Sequence, residues 1–181
     1  MGGTVLTQPH SGVSAARNLA LSVATGDIIA YIDADDIWLP HKLETQIGVL
    51  VRKPELGYVL CRMRAFCEGG GSMPESLNRM HYEDNPTGMI PSALVVRRWA
   101  VDAVGFFDTG LETAEDLDWF ARAGDLGIAA ETVDEILLEK RIHGANISLI
   151  CPTNTSNLIE VLRRNIMRKN ATSERKEGSD D

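Results

Sequence analysis

The apolar run Ile28-Ile29-Ala30-Tyr31-Ile32 leads straight into Asp33-Ala34-Asp35-Asp36. A nearly unbroken apolar strand is what a sheet covered on both faces requires, and helices must supply the cover. The neighbouring sequence offers them. Ser11-Gly12-Val13-Ser14 reads as a turn and cap, and a helix follows over 15–24, ended by Gly26. On the other side Pro40 suits a first helical turn, and Leu43, Ile47 and Leu50 carry a helix that stops before Pro54.

Further on, Gly57 to Cys67 alternates, with Val59, Cys61, Met63 and Ala65 on one side and Arg62 and Arg64 on the other. The pattern predicts strands at Ile90–Val96, Ile128–Val133 and Ile136–Ile142, and a short doubtful one at 4–8. Helices are expected at Arg98–Val104, Glu115–Leu126 and Leu158–Met167. Strands alternating with helices point to an α/β fold with a mixed, mostly parallel sheet in one domain, residues 1–169. Residues 170–181 read as a polar, disordered tail.

A net charge of −8 argues against a nucleic-acid backbone as main partner. Cys61, Cys67 and Cys151 are an odd set without metal-ligand spacing, so they read as thiols in a reducing compartment. No apolar run reaches transmembrane length. A cytoplasmic protein is expected, with peripheral docking at the inner membrane face left open.

On an extended backbone Asp33 and Asp35 point the same way. Two carboxylates 4 Å apart repel by about 4 kcal/mol at an effective dielectric near 20. A bound Mg²⁺ or Mn²⁺ turns that cost into binding, typically together with substrate phosphates. By itself the D-x-D triplet reads first as a solvated turn with Asp36 capping a helix, and the context must overturn that reading. Asp118 reads as part of a solvated face, and His10, His41 and His81 as surface residues. Trp119 reads as core packing before acceptor platform.

The segment GVSAARNLALSVATGDIIAYIDADDIWLPHKLETQ resembles the central part of family 2 glycosyltransferases with the GT-A fold. The matched positions are Arg17-Asn18, Ala24, Gly26-Asp27, Asp33 through Asp36, Trp38-Leu39-Pro40, Lys42-Leu43 and Gln46. VGFFDTGLETAEDLDWFARAGDLG and RIHGANIS resemble two later segments of the same family, in the same order. The resemblance implies a nucleotide-diphospho-sugar transferase-like fold. It also implies inverting transfer of a sugar from a nucleoside-diphosphate-sugar, a UDP-sugar in first place, to a saccharide or lipid-linked acceptor hydroxyl.

Asp35, Asp33 and His143 are then the expected metal ligands, for Mn²⁺ or Mg²⁺. Arg17, Asn18, Asp33, Asp36 and Arg141 are expected on the donor, and Asp116 with Glu115 is the expected catalytic pair, Asp116 as base. A helix start is expected to keep that carboxylate ionised. Val95 stands where processive synthases carry the glutamine of Q-x-x-R-W, so non-processive transfer is implied.

The resemblance lacks the family's opening strand, helix and D-D-G-S strand, so the domain reads as truncated at its N-terminus. That truncation implies a weak donor pocket and an exposed edge at Ile28–Ile32 that a homodimer would cover. An inactive member that keeps metal or nucleotide binding, or an interaction module, is the alternative.

Overall fold

The structure is a computed structural model that describes residues 3–67, 69, 85–143 and 145–177. These group into two compact units. One holds Gly26–Ala103 and Ile128–Ile150, the other Met1–Thr25, Val104–Gly127 and Cys151–Asp181. His81 and most of the Gly-rich loop at 68–72 lie outside the described residues.

The first unit is built on a five-stranded sheet. Its strands are β1 (Ile28–Ala30), β2 (Ile37–Trp38), β3 (Tyr58–Cys67), β4 (Val95–Arg97) and β5 (Ala130–Ile142), in the order β1-β4-β3-β5-β2. The sheet is mixed, as expected, and parallel over most of its paired length. Among the described residues β3 and β5 run parallel over ten partner pairs, while the three other ladders are short and antiparallel. β4 follows a 3-10 turn at Pro91–Ala93 and pairs antiparallel with β3.

β1 is also shorter than the apolar run. Among the described residues it pairs with β4, itself three residues long, and the ladder ends at Ala30; Ile32 is 51% exposed. The two strands expected at 128–133 and 136–142 are one strand. Cys61 pairs with Val133 and Arg62 with Ile136, so Asp134-Glu135 form a bulge, and Arg62 reaches Asp134 there.

Helix α2 (Lys42–Arg52) lies in this unit with Lys42, Gln46, Val49 and Leu50 buried. The sequence suggested a face of Leu43, Ile47 and Leu50, yet Leu43 is exposed. Polar Gln46 wins the inward position because its amide donates to the Val59 and Ala93 carbonyls, at 2.9 Å each. Val49, Leu50, Leu56, Val59 and Val95 form one core cluster, and Cys61, Met63, Ala93, Leu137 and Leu138 another. The 98–104 helix is observed as α3 (Arg98–Val104).

The second unit is helical: α1 (Gly12–Val23), α4 (Glu115–Asp125) and α6 (Asn154–Glu177); a short α5 (Ile147–Ile150) belongs to the first unit. Residues 4–8 form no strand, and Val5 is 89% exposed. Leu111, Ala114, Leu158 and Val161 pack together, and Trp119 sits edge-on to Phe120 at 5.5 Å. Trp119 is core, its indole N–H given to the Gly105 carbonyl. α6 runs through residues 170–177, where a disordered tail was expected. The strong helix formers Arg168, Lys169, Ala171, Glu174, Arg175 and Lys176 extend it.

Candidate active site

In the sheet unit, the chain leaves β1 and folds back at once. The Asp36 N–H donates to the Asp33 carbonyl at 3.1 Å, closing a turn over Asp33–Asp36. The turn, and not strand alternation, brings the acids together, and it gathers Asp36 as well. One carboxylate oxygen from each of Asp33, Asp35 and Asp36 lies within 4.8 Å of the others. Asp33 is fixed from behind, its N–H donating to the Ser92 hydroxyl at 3.0 Å.

The three acids differ in surroundings. The Asp36 side chain is fully buried and faces the Lys140 ammonium at 3.2 Å. Burial raises its pKa, opposed by the Ser92 hydrogen bond and the Lys140 charge. Asp35 is more open. Burial acts to raise its pKa too, but the His143 hydrogen bond, the Lys140 charge and further backbone and charge effects together hold it below the ordinary value. Asp35 thus stays a carboxylate at neutral pH.

His143 Nε2 lies 3.1 Å from the Asp35 carboxylate. Arg141 donates to the Asp35 carbonyl at 3.0 Å and stacks over Phe66, 5.2 Å from the ring centre. All the expected residues of the acidic corner therefore meet: Asp33, Asp35, Asp36, Arg141 and His143.

Two further members escaped the sequence reading. Lys140 reaches Asp36 and, at 3.8 Å, Asp33. Asn146 accepts the His143 N–H at 2.6 Å, and its amide donates to the Arg141 carbonyl and to Asp35. Asn146 was visible as the asparagine of the RIHGANIS segment. Lys140 had no signal beyond a cation one residue before Arg141.

The acidic corner fits a hard divalent cation by donor type: partly open carboxylate oxygens with an imidazole beside them, at the end of a strand. Asp35 and Asp33 would hold it with His143 at hand, and Asp36 is committed to Lys140.

In the helical unit, α4 opens on Glu115 and Asp116 with no side-chain cap. Ala114 before them sits in the left-handed region at φ 63°, a cost that non-glycine residues meet mostly where a turn must be sharp. Arg17, from α1, pairs with Glu115 at 2.6 Å and lies 5.5 Å from the Phe107 ring centre. Asn18 donates to the Phe107 carbonyl at 2.8 Å and accepts the Phe107 N–H at 2.9 Å.

Asp116 remains partly exposed and accepts the Leu117 N–H at 2.8 Å. Burial, and then the charge of Glu115, push its pKa up to about 7, against Leu117 and Arg17, which lower it. The helix start therefore does not dominate as expected. Asp118 is not on a solvated face either: it is buried and pairs with Arg122 at 2.8 Å. Arg122 also holds the Val104 and Phe106 carbonyls, so the loop before α4 is tied down.

His41 is exposed beside Glu44, and the three cysteines are free thiols, of which Cys61 alone is buried. Among the described residues no helix is long and apolar enough to cross a membrane.

The family model for Glycosyl transferase family 2 matches residues 2–101, more than half of the chain. Among similar curated proteins is the UDP-Glc:alpha-D-GlcNAc-diphosphoundecaprenol beta-1,3-glucosyltransferase WfgD of Escherichia coli. It is 49% identical over 49 residues, 26% of this chain and 19% of that one. The putative teichuronic acid biosynthesis glycosyltransferase TuaG of Bacillus subtilis is 27% identical over 80% of this chain and 58% of its own length.

Of solved structures, S. aureus TarS 1-349 in complex with UDP-GlcNAc aligns with a TM-score of 0.67 at 17% identity. The alignment covers 90% of this chain and 48% of that one. The mannosyltransferase PcManGT of Pyrobaculum calidifontis, in complex with GDP-Man and Mn²⁺, aligns with a TM-score of 0.61 at 19% identity, covering 86% and 44%. The chain thus spans from a fifth to under three-fifths of these relatives. With the α/β sheet, the acid turn and these matches in hand, the chain belongs to glycosyltransferase family 2 and has the GT-A fold.

Proposed function

We propose that this chain is a metal-dependent inverting glycosyltransferase acting on a nucleoside-diphosphate-sugar, a UDP-sugar first. The observation that carries this reading is the turn that brings the oxygens of Asp33, Asp35 and Asp36 within 4.8 Å. That much like charge, with Asp35 kept ionised, is best satisfied by a divalent cation and a diphosphate. Asp35 and Asp33 would hold the cation, Mn²⁺ or Mg²⁺, with His143 orienting Asp35. When bound, the cation supplies Lewis-acid neutralisation of the charge on the departing diphosphate. Arg141 serves the phosphate side. Asp36 with Lys140 keeps the turn in shape.

Asp116 acts as general base. It takes the proton of the acceptor hydroxyl as that oxygen bonds to the sugar's anomeric carbon and the bond from that carbon to the diphosphate oxygen breaks. Single displacement inverts the configuration. A carboxyl titrating at about 7 suits the task, since a base is most effective near the working pH. Glu115 is held by Arg17, and Asn18 holds Phe107. We therefore read these α1 residues as the brace of the acid pair rather than as direct donor ligands. The acceptor is a saccharide or lipid-linked hydroxyl, and the protein works in the cytoplasm.

The decisive experiment is calorimetric titration of UDP with and without Mn²⁺, on wild type and Asp35→Ala. Metal-dependent binding that the variant loses is the expected result. Binding indifferent to Mn²⁺ would reassign the corner to a structural turn balanced by Lys140 and Arg141. Donor turnover lost in Asp116→Asn separates an enzyme from a binding-only member. β1, with no strand beyond it among the described residues, is the edge a homodimer would cover. Light scattering that finds only monomer at high concentration removes that element.

A further inference from the structure

Helix α6 carries apolar residues on its outer side as well as on its inner one. Its inner side carries Arg164 on Asp108 at 2.7 Å and Arg168 on Asp125 at 2.5 Å, together with Leu158 and Val161 against Leu111. Its outer side carries further apolar residues. Ile159, Leu162 and Ile166 fall at i, i+3 and i+7, so they form one stripe, and Met167 adjoins it. They are 45%, 63%, 58% and 71% exposed. Apolar side chains this exposed, gathered in one stripe, are not arranged for water on that side.

The charge around the stripe says what it faces. Arg163 and Lys169 are exposed and flank it on opposite sides, about 40–80° from its centre by helical rotation. Glu160, its side chain 44% exposed, is the one acid between Thr155 and Ala171, and it is paired with Arg164. This stands out in a chain of net charge −8. An apolar stripe bordered by cations, on an otherwise acidic protein, matches the boundary of an anionic bilayer, where apolar side chains enter the acyl edge and cations meet the headgroups.

We propose that the outer face of α6 docks the protein on an anionic lipid surface, with Ile159, Leu162, Ile166 and Met167 inserted and Arg163 and Lys169 on the headgroups. The docking is independent of the chemistry at the acid turn.

The test is cosedimentation of the full chain with vesicles of phosphatidylglycerol and phosphatidylethanolamine, and with phosphatidylcholine vesicles as the neutral control. Binding to the anionic vesicles is expected, weakened by about 0.5 M salt, which shortens the screening length. Leu162→Glu/Ile166→Glu should lower it at least about tenfold. Both positions are exposed, so the thermal unfolding midpoint should not move. Arg163→Glu should weaken anionic binding and leave the weak phosphatidylcholine binding unchanged. Absence of binding to anionic vesicles overturns the proposal, as does binding that the double variant retains. A wild-type dimer that the double variant dissolves, without vesicle binding, would assign the stripe to a second copy of the chain instead.

Discussion

Replacing Asp116 by Asn should stabilise the protein and disable it, and the two effects should share one pH dependence. The Asp116 pKa rises from 3.8 in the unfolded chain to about 7 in the fold. At acid pH the group is protonated in both states and costs nothing. Above 3.8 the unfolded chain releases the proton while the fold retains it, so stability falls as pH rises. The loss is complete once the folded group ionises too, above about 7. At 1.36 kcal/mol per unit the full shift is worth about 4 kcal/mol. Asp116 keeps some contact with solvent, and screening reduces the figure to about 2 kcal/mol. Asn retains an oxygen for the Leu117 N–H.

Urea unfolding of Asp116→Asn near pH 8 should thus show a gain of about 2 kcal/mol that disappears near pH 4. On the proposed function, transfer should fall by about 10²–10⁴, and the wild-type kcat/KM should rise through a pKa of about 7. A stability difference that does not vary with pH would refute the assignment of burial and Glu115 repulsion to this carboxyl. Full transfer activity in the variant would refute its role as base.

Other perturbations follow from the same geometry. Lys42 is buried, with its pKa pushed down to about 8 by burial, so its charge costs stability below that pH and the cost fades as pH rises toward 10.5. Lys42→Met should gain about 2 kcal/mol at neutral pH, net of the partner lost to Gln46, and the gain should shrink in alkali; a gain that grows with pH would contradict it. Arg17→Met leaves Glu115 buried without its cation, a loss of about 3 kcal/mol in chemical unfolding, and should move the Asp116 titration further up in a carboxyl-detected NMR titration. Gly57→Ala would drive a Cβ into the Ile128 side chain, and unfolding should show a cost of about 1–3 kcal/mol.

The sequence was most legible where one physical signal acted alone. Helix α4 from Glu115 and strand β3 to Cys67 stand where periodicity put them, and the five residues of the acidic corner do meet. It was least legible where tertiary partners overrode pattern. Nothing local says that Gln46 turns inward, because the carbonyls it serves, Val59 and Ala93, are remote in sequence. Asp118 looked solvated, yet it is buried, paired with Arg122 one turn on and with Arg168 fifty residues away. Asp33 and Asp35 were brought together on the wrong grounds: a strand's alternation would have left Asp36 pointing away, whereas a turn gathers all three.

That turn also explains why the family resemblance runs past the aspartates to Gln46. Segment 92–93 lies between the acid turn and α2. At its front the Ser92 hydroxyl takes the Asp33 N–H. At its back the Trp38 indole donates to the Ser92 carbonyl at 2.8 Å, and the Gln46 amide donates to the Ala93 carbonyl. Lys42 completes the clamp, 4.6 Å from the Trp38 ring centre with its ammonium given to Gln46 at 2.7 Å. A buried cation without a carboxylate partner among its described contacts is costly, so this one is better understood as fixing a tryptophan than as adding stability. Tryptophan, lysine and glutamine at 38, 42 and 46 thus act on the aspartates through the pair Ser92-Ala93. The acids can keep a mutually repulsive geometry because the backbone that bears them is held from behind.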